Sequence, residues 1–274
     1  MDNVIEISSL YFSYGNKQVL NNLSLSIPRG KVVCLMGQNG SGKTTLIDII
    51  MGLNKFVEGN IHINNKDIKG LKTIDIAKQI AYVPQIHKIT FPYTVKEVVM
   101  MGRTAYMGLF GGPKKKDDEI VMNALKMVGI EDYADRPYSQ LSGGEIKLVL
   151  LARALGQGTD IIVMDEPTAH LDLKNELLFL ETVSKIVSED NKTVLIATHS
   201  PEHAFYFERL KTDVEAALMK DGQIYKIGVP SDIITKESIK DVFNVDADII
   251  TTTNDDGIEE KTICLRNTIN EESK

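Results

Sequence analysis

The segment GQNGSGKT, from Gly37 to Thr44, constrains the fold of this chain more than any other feature. It matches the pattern GxxxxGK[ST] and lies between an apolar run, KVVCLM, and a helical pattern, TTLIDIIMG. Glycines let consecutive backbone N–H groups surround phosphate oxygens, Lys43 adds a positive charge for the β- and γ-phosphates, and the Thr44 hydroxyl can bind Mg²⁺. The segment therefore predicts a nucleotide site where a buried strand meets a helix.

A second apolar run, residues 161–164, ends in the adjacent carboxylates of Asp165 and Glu166. The carboxyl ends of parallel strands face the crevice where open α/β sheets bind ligands. We expect Asp165 to hold Mg²⁺ together with Thr44, directly or through water, and Glu166 to polarise a water that attacks the γ-phosphate. Such a pair standing alone is more often a helix N-cap, but a neighbouring phosphate loop favours the catalytic interpretation.

The sequence LSGGE, residues 141–145, precedes the long apolar-periodic stretch IKLVLLARAL. Ser142 can cap that helix, while Gly143 and Gly144 bring unhindered amides to its first turn. These features predict a second helix terminus that can bind an anion. A simple turn before a helix would also explain the pattern.

The remaining patterns predict a parallel α/β core with additions. Alternating residues 4–12 and 19–27 indicate an antiparallel hairpin, and apolar runs at 31–36, 161–164 and 194–197 indicate buried strands. Between about Gln85 and Leu155 the pattern is helical, with helices over 94–101 and 119–128 capped by Thr94 and by Asp117 or Asp118.

The C-terminal part begins with another hairpin signal. Asp221-Gly222 predicts a tight turn, residues 231–243 a short helical stretch, and the sequence beyond Asn254 a loose polar tail.

Composition and charge exclude several classes of function. The 274 residues carry 31 Lys plus Arg against 38 Asp plus Glu, a net charge of −7, which argues against bulk attraction to nucleic acid or anionic lipid. No apolar run approaches the roughly 20 residues of a spanning helix, and the first residues lack a basic, apolar signal. We therefore expect a cytosolic protein. Cys34 lies in an apolar run and is expected to be a small core residue.

In chain order, these motifs resemble the nucleotide-binding subunit of an ABC transporter, from about Val4 to Val245. The resemblance implies a P-loop NTPase α/β fold with a parallel sheet, an N-terminal antiparallel β subdomain and a helical subdomain inserted at about 86–155. It places an ATPase domain at 1–254 and a polar tail at 255–274. The motifs that carry it are GQNGSGKT, the Gln85 of AYVPQ, LSGGE, IIVMDE, TAHLD and the His199 of ATHS.

The resemblance also assigns roles residue by residue. Tyr14 matches the aromatic residue that stacks on adenine, although ordinary strand packing is the alternative. Gln85 matches the residue that reaches Mg²⁺ and the attacking water, and His199 the switch histidine at the γ-phosphate. Together with the motif analysis, the candidate catalytic residues are Glu166, His199, Gln85 and Lys43, the candidate metal ligands are Thr44, Gln85 and Asp165, and the candidate ATP contacts are Tyr14, Gly37, Gln38, Asn39, Gly40, Ser41, Gly42, Lys43, Thr44 and Thr45.

In this family two subunits form a head-to-tail dimer that encloses two ATP molecules. The resemblance therefore implies that a second copy contributes contacts in trans, from Ser142, Gly143, Gly144, Glu145 and Asp172. It further implies attachment to integral-membrane permease subunits at the cytoplasmic face of the membrane and, indirectly, an external substrate-binding protein. No nucleic-acid partner is expected.

The sequence MGRTAYMGLF, with DRPYSQLSGGE and PTAHLDL, is similar to importer subunits for iron-siderophore complexes, haem and cobalamin. Zinc, manganese, molybdate and tungstate importers stay open as alternatives, as does a soluble ABC ATPase of repair, ribosomes or iron-sulfur assembly. A P-loop kinase or GTPase would leave LSGGE unexplained. Lys147 and Ser200 stand where Gln and Asp are frequent in the family, and we expect neither to touch the predicted chemistry directly.

Overall fold

A computed structural model describes residues 2–85, 91–107, 111–253 and 257–269 of the chain. Within these ranges no helix is long and apolar enough to cross a membrane. The strands are β1 (Asn3–Tyr14), β2 (Lys17–Pro28), β3 (Val32–Met36), β4 (Glu58–Ile63), β5 (Lys66–Asp67), β6 (Ile80–Val83), β7 (Ile161–Asp165), β8 (Thr193–Thr198), β9 (Val214–Lys220), β10 (Gln223–Gly228), β11 (Val245–Thr253) and β12 (Glu259–Thr268). The α-helices are α1 (Lys43–Ile50), α2 (Thr73–Ala77), α3 (Val95–Met100), α4 (Lys115–Met127), α5 (Gly143–Gln157), α6 (Leu173–Asp190), α7 (Glu202–Arg209), α8 (Pro230–Ile233) and α9 (Lys236–Phe243).

The central sheet has the strand order β10-β9-β3-β8-β7-β6, and only β10 runs antiparallel to its neighbour. Every residue of β3, β7 and β8 is buried, which explains why these strands are continuous apolar runs. Because the strands are parallel, β3, β7 and β8 all end at the same edge of the sheet. The predicted parallel α/β core is confirmed.

This sheet separates two hydrophobic cores. Along β3, Val32, Cys34 and Met36 pack into the core shared with α3 to α7, whereas Val33 and Leu35 face the core shared with α1 and the N-terminal strands. The alternation follows from the two-residue period of a strand. Burial on both faces fixes β3 firmly, and the loop that follows it therefore leaves from a rigid base.

The antiparallel sheet β2-β1-β4-β5 confirms the N-terminal hairpin, which turns at Gly15 and Asn16. The turn at Asp221-Gly222 is confirmed as well, because it joins β9 to β10.

The region between β6 and β7 is helical, as predicted, although residues 86–90 and 108–110 lie outside the described ranges. Thr94 caps α3, its hydroxyl accepting a hydrogen bond from the Glu97 N–H at 3.3 Å. The prediction of Asp117 or Asp118 as the cap of α4 is wrong: the helix begins earlier, at Lys115. Asp117 lies inside the first turn because its carboxylate accepts from the Lys114 N–H at 2.9 Å and pairs with Arg103.

The prediction of a loose tail beyond Asn254 is also wrong. Residues Glu259–Thr268 form β12, which pairs with β11 from Val245 to Thr253 in an antiparallel hairpin. Its hydrogen bonds to α7 explain the order: Glu202 accepts from the backbone N–H of Ile263 at 2.6 Å, and Arg209 pairs with Glu260 at 3.2 Å. The sequence is polar because the hairpin is largely exposed, and a polar segment without a clear apolar alternation does not predict a strand. Of this segment, residues 254–256 and 270–274 lie outside the described ranges.

Candidate active site

The loop between β3 and α1 is the base of the site. It turns into α1 at Gly42, whose φ of 108° lies in the region that only glycine adopts without strain. A Cβ at this position would lie 2.8 Å from both Leu20 Cδ2 and Met219 Cε. The backbone angle strains any other residue, and both neighbouring side chains would have to move, so the loop favours glycine here before any ligand is considered.

Lys43, the first residue of α1, is held inside its own loop. Its Nζ donates to the carbonyl oxygens of Gly37 at 2.7 Å and Gln38 at 3.1 Å. Burial lowers the pKa of Lys43, and the nearby carboxylates of Glu166 and Asp165 oppose that shift. Ser41 Oγ is buried and has no hydrogen-bond partner among the described residues. The loop thus presents a cation and an unsatisfied hydroxyl, which suits an anionic ligand.

Asp165, the last residue of β7, lies beside Thr44. Burial raises the pKa of Asp165, a hydrogen bond with the Thr44 side chain lowers it, and the negative charges of Glu166 and Asp48 raise it further. Its Oδ1 is buried without a hydrogen-bond partner in the described part of the chain. A buried, unsatisfied carboxylate oxygen beside a threonine hydroxyl is a donor set of the kind that Mg²⁺ prefers, so these residues fit the metal.

Three separate elements meet at Glu166. The Gln85 side chain, after β6, donates from Nε2 to Glu166 Oε2 at 2.9 Å, and His199 Nδ1, after β8, lies 3.6 Å from the same oxygen. Glu166 itself has a φ of 42°, which is uncommon for a residue with a side chain. Its backbone N–H donates to the carbonyl of Ala197 at 2.9 Å and holds this conformation. The three predicted catalytic side chains that follow β6, β7 and β8 are therefore in one cluster.

A cavity of about 760 Å³ opens beside this cluster. It connects the predicted adenine position with the predicted catalytic carboxylate, since Tyr14 lies in its wall together with Glu166. The described residues that line it are Tyr14, Lys17, Gln18, Val19, Asn21, Asn39, Gly40, Gly42, Lys43, Thr44, Thr45, Gln85, Glu166, Asp221 and Gly222.

Tyr14 is half-exposed at the mouth of the cavity. Its ring meets Phe12 edge-on with centroids 4.9 Å apart, and its hydroxyl accepts from Asn54 Nδ2 at 2.8 Å. Phe12 and Asn54 hold the ring in place, while half of the Tyr14 surface is open. The open part leaves room for a planar base to stack.

The sequence profile of the family described as "ABC transporter" matches residues 20–169, which is more than half of the chain. The chain belongs to the ABC transporter ATP-binding family. It is therefore an ATPase of the kind that is coupled to transport.

Relatives of this ABC ATPase carry names of metal import. The iron(3+)-hydroxamate import ATP-binding protein FhuC of Bacillus subtilis (strain 168) is 34% identical over 263 residues, covering 96% of this chain and 94% of the relative. The manganese transport system ATP-binding protein MntB of the same organism is 42% identical over 202 residues, covering 73% and 78%. A solved metal-chelate type ABC transporter in an inward-facing conformation aligns with a TM-score of 0.84 at 26% identity, covering 97% of this chain and 98% of that one.

The residues predicted to act in trans lie together, but the described lining of the cavity does not include them. Ser142 caps α5 in a reciprocal pair, donating its N–H to Glu145 at 2.7 Å and accepting the Glu145 N–H at 3.3 Å. The predicted cap is confirmed. The backbone hydrogen bond from Ser142 and an ion pair with Arg136 keep the pKa of Glu145 below its usual range.

Asp172 caps α6 and is tied to the start of α5 through Asn175. The Asp172 carboxylate accepts from the Asn175 N–H at 2.8 Å and from its side-chain amide at 2.9 Å. The Asn175 side chain also packs on Gly144, where an added Cβ would lie 2.5 Å from the amide carbon. Asn175 therefore joins the LSGGE helix to the TAHLD loop in this ABC ATPase. No motif in the sequence pointed to it.

Two further residues lie behind the site. Lys147 contacts a predicted site residue without lining the described cavity: its Nζ donates to the backbone carbonyl of Gln85 at 2.6 Å. His203, buried at the start of α7, bridges Thr198 Oγ1 at 2.9 Å and Glu176 Oε1 at 2.6 Å. A histidine four residues after His199 in a helical pattern was the signal that could have found it.

Proposed function

We propose that this chain hydrolyses Mg²⁺-ATP in the cavity beside Glu166 and that Glu166 is the general base. One observation supports this most strongly: Gln85 and His199, from two different strand ends, converge on a single oxygen of Glu166. The hydrogen bond that Gln85 donates orients the carboxylate, and the His199 ring lies beside the same oxygen. Such a carboxylate at the wall of a nucleotide-sized cavity can accept a proton from an attacking water.

The other residues bind and orient the nucleotide. The open face of Tyr14 would stack on adenine, and the loop amides with Lys43 would hold the phosphates. Thr44, Asp165 and Gln85 would hold Mg²⁺, which neutralises charge on the β- and γ-phosphates when bound. Binding an anion would draw Lys43 Nζ away from the carbonyls of its own loop. The conformation of the loop would therefore depend on whether a nucleotide is bound.

Glu166→Gln tests the assignment because it keeps the shape and removes the base. We expect turnover to fall by about 10²- to 10⁴-fold while ATP binding is retained and a dimer accumulates. Equilibrium binding of a fluorescent ATP analogue measures the retained affinity, and sedimentation velocity measures the dimer. Turnover equal to that of the unchanged protein would refute Glu166 as the base.

We further propose that the active unit is a head-to-tail dimer in which Ser142, Gly144 and Asp172 of one copy act on ATP bound to the other. The supporting observation is that, among the described residues, the start of α5 carries the exposed residues Ser142 and Gly143 and does not line the cavity of its own chain. Mixing Lys43→Ala with Ser142→Arg chains should restore one competent site per heterodimer. Activity no higher than the sum of the two inactive homodimers would count against action in trans.

For the transported substrate, we propose metal chelates: iron-siderophore complexes, haem or a corrinoid. The similarity to a hydroxamate import protein over nearly the whole chain supports this, as does the MGRTAYMGLF segment, of which residues 108–110 lie outside the described ranges. The chain would be attached to its permease at the cytoplasmic face, and an external binding protein would deliver the substrate.

Reconstitution with its permease and binding protein tests the substrate class. ATP hydrolysis should rise when a ferric hydroxamate, haem or cobalamin is supplied on the side of the membrane that holds the binding protein. The relative named for manganese transport favours a free divalent ion as the second candidate. A response to Mn²⁺ or Zn²⁺ alone would replace the chelate assignment, and the Glu166→Gln complex is the matched control.

A further inference from the structure

Lys147 occupies an unusual place for a lysine. It lies one turn inside α5, is buried, and directs its ammonium toward the loop that follows β6. There Nζ donates to the Gln85 carbonyl at 2.6 Å. A charged donor makes a shorter and stronger hydrogen bond than a neutral one, so this contact fixes the Gln85 backbone relative to α5.

The surroundings explain how the charge is tolerated. Burial lowers the pKa of Lys147, whereas the negative charge of Asp165 opposes that shift. Asp165 in turn stands among the negative charges of Glu166 and Asp48. A cation beside this acidic cluster offsets part of its repulsion, which a neutral glutamine in the same place would not do.

Two contacts now form a continuous path. Lys147 holds the backbone of Gln85, and the side chain of Gln85 donates to Glu166 at 2.9 Å. Both contacts are made by one residue at the end of β6, so a shift of its backbone moves its side chain as well. The helix that carries Lys147 also begins at Ser142, the residue proposed to reach the partner's nucleotide.

We propose that Lys147 is a positioning residue for hydrolysis, which holds Gln85 on Glu166 and thereby links the start of α5 to the catalytic carboxylate of the same chain. This inference rests on the proposed roles of Gln85 and Glu166. Lys147 does not line the described cavity, so it acts through Gln85 and does not touch ATP.

Lys147→Met removes the donor and keeps an unbranched apolar side chain in the same space. We expect kcat for ATP to fall by about 10- to 100-fold, because misplacement of a catalytic group by an ångström costs that much, and KM to change by less than about threefold. Lys147→Gln retains an amide donor and should recover part of the rate. A structural defect alone would not be rescued by the shorter glutamine, which packs no better than methionine.

A double-mutant cycle separates positioning from general loosening. Gln85→Ala keeps the carbonyl that Lys147 binds but removes the side chain through which it acts. In that background Lys147→Met should cause less than about a twofold further loss, since coupled residues are not additive. Equal fold losses in both backgrounds, or full activity of Lys147→Met, would overturn the proposal.

Lys192→Met is the matched control. Lys192 Nζ likewise donates to a backbone carbonyl, that of Thr159 at 2.8 Å, but at the opposite end of β7 from Asp165. The Lys192→Met variant should therefore have an unchanged kcat. If the unchanged chain hydrolyses ATP and Glu166→Gln does not, while Lys147→Met is fully active, only this inference fails; if Glu166→Gln is also fully active, the proposed function fails with it.

Discussion

The buried hydroxyls at the two ends of β8 allow a sharp test of how the site is supported. At one end, Thr198 Oγ1 accepts from the Ser200 N–H at 3.1 Å and lies 2.9 Å from His203 Nδ1. With a neutral ring, one arrangement satisfies every partner: Thr198 donates to Nδ1, and Nε2–H donates to Glu176 at 2.6 Å. This network holds the backbone on which His199 lies.

Thr198→Val keeps the shape and removes the hydroxyl. His203 Nδ1 loses its donor in a buried position, which costs about 1–3 kcal/mol, and one more buried methyl group returns about 0.8 kcal/mol. The net loss of about 0.2–2.2 kcal/mol corresponds to a melting temperature lower by up to roughly 9 °C for a chain of this size. Because His199 loses its support near Glu166, we expect kcat to fall by about 10-fold as well.

Thr193→Val is the control at the other end of the same strand. Thr193 is fully buried, and its hydroxyl accepts from the Gly30 N–H at 2.9 Å, far from the carboxylate edge. Differential scanning calorimetry and steady-state ATPase assays should show a similar loss of melting temperature but less than a twofold change in kcat. Equal kcat losses in the two variants would refute the idea that Thr198 supports His199.

Three further outcomes are expected. Gly144→Ala should lower the melting temperature, because its Cβ would lie 2.5 Å from a neighbouring asparagine side chain, whereas Gly143→Ala meets nothing within 4 Å and should be neutral or stabilise by up to about 1 kcal/mol in a nucleotide-free melt. The hydrogen bond from a histidine keeps the pKa of Glu176 below its usual value. Its contribution to stability is therefore complete above the usual pKa of a glutamate and is lost as the pH falls through the depressed value. A melting series from pH 3 to 7 should be less steep on the acid side for Glu176→Gln, and identical slopes would contradict this. Burial raises the pKa of Cys34 to about 12, so a maleimide at pH 7.5 should label only the partly exposed Cys264 in the native chain, and labelling of both thiols without unfolding would contradict the packing.

Local chemistry was sufficient to predict much of the fold. Apolar runs predicted β3, β7 and β8, because a strand buried on both faces is mostly apolar along its length and keeps its polar residues at its ends. Thr94 and Ser142 were predicted as caps because each precedes a helical pattern, and the structure adds a glutamate three residues later that completes each pair. The same reasoning failed for α4, where Asp117 serves the first turn and an ion pair instead of the cap.

The C-terminal hairpin shows where local patterns fail. Strand β12 has little apolar character of its own and is held by backbone pairing with β11 and by side chains of α7. Such partners are distant in sequence, so no window of residues carries the signal.

The phosphate loop, the paired carboxylates and the order of the motifs could be predicted because each depends on residues adjacent along the chain. Which side chains meet depends on the packing of the strands: Gln85, Glu166 and His199 follow three different strands and converge because those strands are parallel and end at one edge. The role of Lys147 belongs to the same class. Its partner lies 62 residues away, and a contact of that kind exists only once α5 packs against the sheet.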